Sequence, residues 1–196
     1  MARTGDVFHS AFDMPAPMTT PSPDAIRLRP ARPDDALCLG VLATQVFLDT
    51  YASGGIRPAL AREVRSVGST EAFEARLADA ATGLVVAERD GHLVGFAEVG
   101  HGAGHELLPG RRGGELRRLY VQEPFTGAGI GRRLLQAAEA LVVARGGRVS
   151  WLTAWVGNAR ALAFYPRQGY AAAGSTNHLF EGESHENRLF VKELLP

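Results

Sequence analysis

The stretch Leu119–Arg133, LYVQEPFTGAGIGRR, constrains the fold of this chain more than any other. A strand pattern ends near Val121, and Pro124 and Thr126 come next in a short loop. Gly127, Gly129 and Gly131 then lead into a segment with Leu134, Ala138, Leu141 and Val142 on one helical face. The pattern predicts strand, loop and amphipathic helix in direct succession. Glycine lets the backbone approach a ligand closely and adopt conformations that other residues resist. The first amides of a helix have no intrahelical partner and lie at the positive end of its dipole. Together these parts form a phosphate site. Two familiar versions fail on residues. A P-loop needs a Lys after its glycines, and none is present here; the dinucleotide fingerprint, counted from Gly127, needs Gly where Arg132 stands.

The frame Thr126-Gly127-Ala128-Gly129-Ile130-Gly131 resembles the pyrophosphate loop of the GNAT acetyltransferases, usually written [QR]xxGx[GA], with Thr126 in place of Gln or Arg. Glu115-Leu116-Arg117-Arg118-Leu119-Tyr120-Val121 resembles the family's fourth strand, and Arg132-Arg133-Leu134-Leu135 the start of its third helix. Downstream, the segment from Asn158 to Tyr170, NARALAFYPRQGY, resembles the family's N-x-x-A-x-x-F-Y-x-x-x-G-[FY] pattern. The resemblance runs from about Ile26 to the C-terminus and is sharpest from Glu115 to Tyr170. It implies an α/β (mixed α+β) fold. A central, mostly antiparallel sheet of about seven strands would splay between its fourth and fifth strands, with helices on both faces.

The resemblance also implies an activity: N-acetyl transfer from acetyl-CoA to a primary amine by direct attack in a ternary complex, with no metal. The cosubstrate's pyrophosphate would lie on Thr126, Gly127, Ala128, Gly129, Ile130, Gly131 and Arg132, with Arg133 adding charge. Its pantetheine arm and acetyl carbonyl would meet the backbone of Leu119, Tyr120 and Val121. A backbone amide aimed at that carbonyl would also stabilise the tetrahedral oxyanion.

Tyr165 falls at the family's general-acid position. A tyrosine has a pKa near 10 and a thiol about 8.5, so the phenol is protonated at neutral pH and can donate to the leaving thiolate. The competing reading is packing. Asn158 precedes it by two helical turns and shares its face. Its amide can bond the pantetheine arm or cap the helix. Pro166 disfavours helical geometry at Tyr165 and removes a helix hydrogen bond. Glu115, where several relatives carry a carboxylate, is the candidate general base; Glu98 on the neighbouring strand is the alternative, and some members of the family need no base.

Composition excludes other classes. There are 21 basic and 21 acidic residues, and no Lys/Arg run suggests nucleic acid or a membrane surface. No segment reads as a secretory signal or a bilayer span. The one cysteine, Cys38, allows no internal disulfide, which suits a cytoplasmic protein. On its predicted helix Cys38 reads as packing. His101 and His105 in one Gly-rich loop and His178 and His185 in another match no familiar zinc spacing.

Residues 1–24 read as a flexible Pro-rich tail and residues 25–196 as the acetyltransferase domain, a monomer or homodimer. Predicted helices cover Asp35–Leu48, Pro58–Val67, Thr70–Ala80, Gly131–Ala144 and Asn158–Arg167. Predicted strands cover Ile26–Arg32, Leu84–Glu88, His92–Val99, Glu115–Val121, Val149–Ala154, Tyr170–Ser175 and Arg188–Leu194. Asp90-Gly91 signals a hairpin, and Gly100–Gly114 a long connection. The acidic segment Glu181–Glu186 reads as a solvated loop or as a surface that attracts a cationic amine. Phe47–Ala52 resembles the acceptor-side helix of bacterial members, among them polyamine acetyltransferases. The acceptor classes left open are a polyamine, a protein N-terminus or lysine, an amino acid and an antibiotic. A non-catalytic acyl-CoA-binding module is the rival reading; it would keep the glycines without needing Tyr165.

Overall fold

The computed structural model describes residues 26–111, 113–180 and 183–194. The proposed tail and Glu181 lie outside these residues. The chain runs β1 (Arg27–Pro30), α1 (Ala36–Tyr51), α2 (Pro58–Val67), α3 (Thr70–Ala78), β2 (Thr82–Arg89), β3 (His92–His101), β4 (Gly113–Val121), α4 (Ile130–Ala144), β5 (Val149–Trp155), α5 (Ala159–Arg167), β6 (Ala171–Phe180) and β7 (Glu183–Glu193). Seven strands form one sheet in the order β1-β2-β3-β4-β5-β7-β6. All neighbours are antiparallel except β4 and β5, which are parallel because α4 carries the chain back across the sheet.

Local chemistry explains several elements. Asp90 and Gly91 take φ of 50° and 81°, the pair of left-handed residues that a tight two-residue hairpin needs between β2 and β3. Ser69 caps α3 by accepting from Ala72 N at 3.1 Å. Arg29 on β1 bonds both Asp35 and Glu88, at 2.7 and 2.6 Å, and so pins the entry to α1 against β2.

The two faces of the sheet bury different cores. On one, Leu134, Leu135, Ala138 and Val142 of α4 and Tyr165 of α5 pack on Val94, Ala97, Leu116 and Leu152. On the other, Leu39, Leu42 and Ala43 of α1 and Phe73 of α3 pack on Leu84, Val86 and Phe96. Beyond α1, Trp151 and Leu189 are covered by Leu108 of the β3–β4 connection, and the Trp151 indole donates to Ala103 O at 3.1 Å.

Three expectations change. Cys38 is exposed, with Leu37 and Val41 beside it, because α1 turns Ala36, Leu39, Gly40, Leu42 and Ala43 inward instead. Glu183–Glu186 is strand rather than loop, because β6 and β7 pair as far as Phe180 and Glu183. His178 and His185 are cross-strand partners in that hairpin, not loop residues. As expected, α5 runs through Pro166 to Arg167. The helix closes one residue later, with Tyr165 O accepting from Gln168 N at 2.9 Å, so only the final turn loses a bond.

Candidate active site

β4 and β5 share a ladder of three pairs, Gly113 with Val149, Gly114 with Ser150 and Glu115 with Trp151. β4 continues to Val121 and β5 to Trp155 without pairing further, so the sheet opens into a V. On its other side β4 stays paired with β3 through Val121. Leu119, Tyr120 and Val121 therefore present backbone hydrogen-bonding groups that no β5 partner takes up. Such groups demand an alternative partner when water is excluded.

A bulge in β4 sets which side chains face where. Arg118 pairs with Glu98 and Leu116 with Val99, leaving Arg117 as an extra residue. After it, Leu119 and Val121 face the α4 core and Tyr120 the α1 core. The bulge also brings consecutive arginines to one carboxylate. Glu98, only 1% exposed, accepts from Arg118 at 2.5 Å, while Arg76 and Arg117 lie 3.9 Å away. This alternative base is committed to guanidinium groups rather than to the cleft.

An open cleft of about 1170 Å³ occupies the V. It is lined by Leu119, Tyr120 and Val121, by Thr126, Gly127, Gly129, Gly131 and Arg132, by Asn158 and Tyr165, and by Val46, Asp49, Thr50 and Tyr51 of α1. Most of the residues singled out in the sequence thus meet in one place. At the glycine loop, Gly127 and Gly129 take φ of 81° and 78°. Gly129 is the N-cap of α4, whose first intrahelical bond runs from Arg133 N to Gly129 O at 3.1 Å. The amides of Ile130, Gly131 and Arg132 precede that bond, as a phosphate site requires. Ala128 and Ile130 pack into the α4 core beside this loop. The Thr126 hydroxyl donates to Glu123 O at 2.9 Å and shapes the loop's entry. Arg132 is exposed on the cleft, whereas Arg133 turns away to donate to Ile26 O at 2.8 Å.

Asn158 is the N-cap of α5, its Oδ1 accepting from Ala161 N at 3.0 Å. That bond uses only the carbonyl oxygen and leaves the side-chain NH₂ for another partner. Tyr165 is buried among Phe164, Tyr170 and Phe190 and is one of the residues that line the cleft. Burial pushes its pKa well above that of an ordinary phenol, with smaller contributions from Tyr51 and Tyr120. Tyr120 is likewise pushed up, to about 12, mainly by burial. Glu115 stands outside the lining, at the closed end of the V, with its carboxylate 3.4 Å from Arg117 Nε.

The sequence reading missed several lining residues. Glu123 and Arg160 form a bidentate pair at 2.7 and 2.8 Å between the loop after β4 and the first turn of α5. Asp49, Thr50 and Gln168 also line the cleft. Arg160 lies inside the Asn158–Tyr170 motif and Asp49 inside the Phe47–Ala52 likeness, but a single sequence gives neither a reason to stand out. No group of side chains suited to holding a metal occurs among the described residues. No described helix is long and apolar enough to cross a membrane.

Comparison with known proteins places this architecture. Residues 55–170 match the model of the acetyltransferase (GNAT) family, and the chain belongs to that family. Its activity is accordingly that of an acetyl-CoA-dependent acetyltransferase. It is 29% identical to the streptothricin acetyltransferase of Streptomyces lavendulae over 184 residues, 86% of this chain and 94% of that one. Among solved structures, the PaiA N-acetyltransferase of Thermoplasma acidophilum in complex with coenzyme A superposes with a TM-score of 0.69 at 22% identity, covering 86% of this chain and 98% of that one. YncA of Salmonella typhimurium, solved with acetyl-CoA, superposes with a TM-score of 0.60 at 18% identity, covering 87% and 94%.

Proposed function

We propose that this chain transfers the acetyl group of acetyl-CoA directly to a primary amine of a small molecule or peptide, with Tyr165 protonating the departing thiolate. The observation that carries the reading is the open V. Backbone of Leu119–Val121 that no β5 partner takes up leads straight to a left-handed glycine N-cap, and Tyr165 lines the same cleft. The pyrophosphate would sit on the first-turn amides of α4, with Arg132 adding positive charge. The pantetheine would lie along β4 as a substitute for the missing strand, with the Asn158 NH₂ as a further donor.

In the reaction, the neutral amine nitrogen attacks the thioester carbon, and the oxyanion forms against a β4 amide. The C–S bond then breaks as the C–N bond is completed. The thiolate takes the Tyr165 proton, and the amine gives up its extra proton to water or a base. In water the step from phenol to thiolate is uphill by about 1.5 pH units, roughly 2 kcal/mol. Burial raises both acids, because it disfavours both anions, so the raised pKa of Tyr165 does not by itself worsen the match. A base role for Glu115 would have to run through water, given its position outside the lining. The amine can equally be captured already neutral.

The test is a screen of amine classes with acetyl-CoA, reading thiol release and acetylated product. Product with at least one amine class, and none without enzyme, is the expected result. Tight acetyl-CoA binding without transfer to any amine would instead identify an acyl-CoA-binding module.

A further inference from the structure

The two arms of the V are bridged beyond their strands. Glu123 lies two residues past the end of β4, and Arg160 is the second residue of α5, which follows β5. Both line the cleft. The Arg160 guanidinium donates two parallel bonds to the Glu123 carboxylate, at 2.7 and 2.8 Å. Both side chains are well exposed, 67% for Arg160 and 61% for Glu123. An exposed ion pair contributes little to stability, so this one opens at small cost.

The pair sits in positive surroundings. The first residues of both α4 and α5 line the cleft, so the positive ends of two helix dipoles border it. Arg132 is exposed there as well. The first turn of α5 holds no acidic residue of its own, and Arg160 is a cation where the dipole favours an anion. Glu123 supplies that anion from the other arm. Among the described residues of the lining the carboxylates are Glu123 and Asp49, and Asp49 belongs to α1. Acetyl-CoA brings anions of its own, a pyrophosphate and a 3′-phosphate. A guanidinium fork takes carboxylate and phosphate oxygens in the same bidentate way, so the cosubstrate and Glu123 compete for Arg160. Glu123 also repels an incoming phosphate.

We propose that Arg160 is a phosphate-binding residue of the cosubstrate site, and that Glu123 occupies its fork as an internal competitor until a phosphate of acetyl-CoA displaces it. The inference rests on the acetyl-transfer reading and adds to it a binding residue and a latch on the cosubstrate's entry. Neither side chain touches the reacting atoms. The Glu123 carboxylate turns to solvent as the phosphate arrives. Its return to Arg160 helps free CoA to leave after transfer, so the latch keeps the product from binding too tightly.

Calorimetry with acetyl-CoA on the intact chain, Glu123→Gln, Arg160→Gln and the double variant decides it. Glu123→Gln should bind acetyl-CoA about three- to fivefold more tightly, because the competitor and its charge are gone. Arg160→Gln should bind about tenfold more weakly. The gain from Glu123→Gln should be smaller once Arg160 is also replaced, since only the repulsion is then relieved. It should also shrink with salt, because screening acts over about 8 Å at physiological ionic strength. CoA and 3′-dephospho-CoA tell the phosphates apart. An Arg160→Gln effect lost with 3′-dephospho-CoA assigns the fork to the 3′-phosphate, and one that persists assigns it to the pyrophosphate. A pair that merely braces the two arms would weaken binding when either partner is removed. Weaker or unchanged affinity in Glu123→Gln, or unchanged affinity in Arg160→Gln, overturns the inference while acetyl transfer by the intact chain stands. No binding of acetyl-CoA by the intact chain removes both readings together.

Discussion

Glu115 and Trp151 are the last register partners between β4 and β5. One residue further along, the two strands have parted, and the remainder of β4 offers its backbone to the cleft rather than to β5. In the proposed reading this pair marks the inner limit for the thioester, and the glycine loop would hold the other end of the cosubstrate.

Gly129→Val should weaken acetyl-CoA binding by at least about tenfold. Its φ of 78° lies in the left-handed region, which costs a residue with a β-carbon roughly 1–2 kcal/mol, and more for a branched one. No atom crowds a β-carbon at this position, so the folded chain tolerates the volume, and the loss falls on loop geometry and phosphate approach. Calorimetry with acetyl-CoA measures it. Unchanged affinity in a folded variant contradicts the pyrophosphate assignment.

Tyr165→Phe should lower kcat by about 10²- to 10⁴-fold, the range for loss of a general acid, while acetyl-CoA affinity stays within a few-fold. The ring keeps its contacts with Tyr170 and Phe190, so the variant should fold. Equal turnover would mean that Tyr165 only packs and that water protonates the thiolate.

The raised phenols bear on alkaline behaviour. Tyr120 moves up to about 12, and Tyr165 and Tyr170 are shifted in the same direction by burial. Native tyrosines stay protonated while those of the unfolded chain ionise near 10. The unfolded state then binds fewer protons, so stability present below pH 10 is lost as pH rises above it, by about 1.4 kcal/mol per tyrosine per pH unit. Urea unfolding between pH 8 and about 11 measures this. Over the same range kcat/KM for the acceptor should climb with amine deprotonation and show no decline due to Tyr165 below pH 10. A decline with an apparent pKa near 9 that disappears in Tyr165→Phe would refute the raised phenol.

Glu98→Gln should destabilise the fold by about 3–5 kcal/mol, because it leaves Arg118 and its neighbours without their buried counter-charge. Glu98 is almost fully enclosed, so little water can replace it. A urea midpoint indistinguishable from that of the parent chain would show that the arginines relax to solvent at little cost.

Much of the site could be read in the chain itself, because it depends on residues with unusual backbone needs. Gly127 and Gly129 are left-handed where the glycine spacing asks for it, and Asp90-Gly91 makes the hairpin that its dipeptide announces. Asn158 resolves to a helix cap, with one end of its amide left over. Features produced by pairing between distant segments were not readable. The β6–β7 hairpin extends through His178 and His185 because β7 also pairs with β5 and is held on both sides. Glu98 looked like a strand-end carboxylate until the β4 bulge turned Arg117 and Arg118 toward it. Glu115 was placed by likeness alone, and nothing local in the sequence reveals that β5 shuts the sheet beside it.

The three-pair ladder between β4 and β5 also divides the molecule along the chain. β1 to β4 come from the segment before α4, and β5 to β7 from the segment after it, so nearly all strand pairing is internal to one segment or the other. Contacts close in sequence form quickly, whereas the seam must wait for the α4 crossover. The α4 core still spans the seam, so amide exchange tests whether the two sides open with separate energies. A cosubstrate lying in the V would touch both sides at once and draw any such difference together.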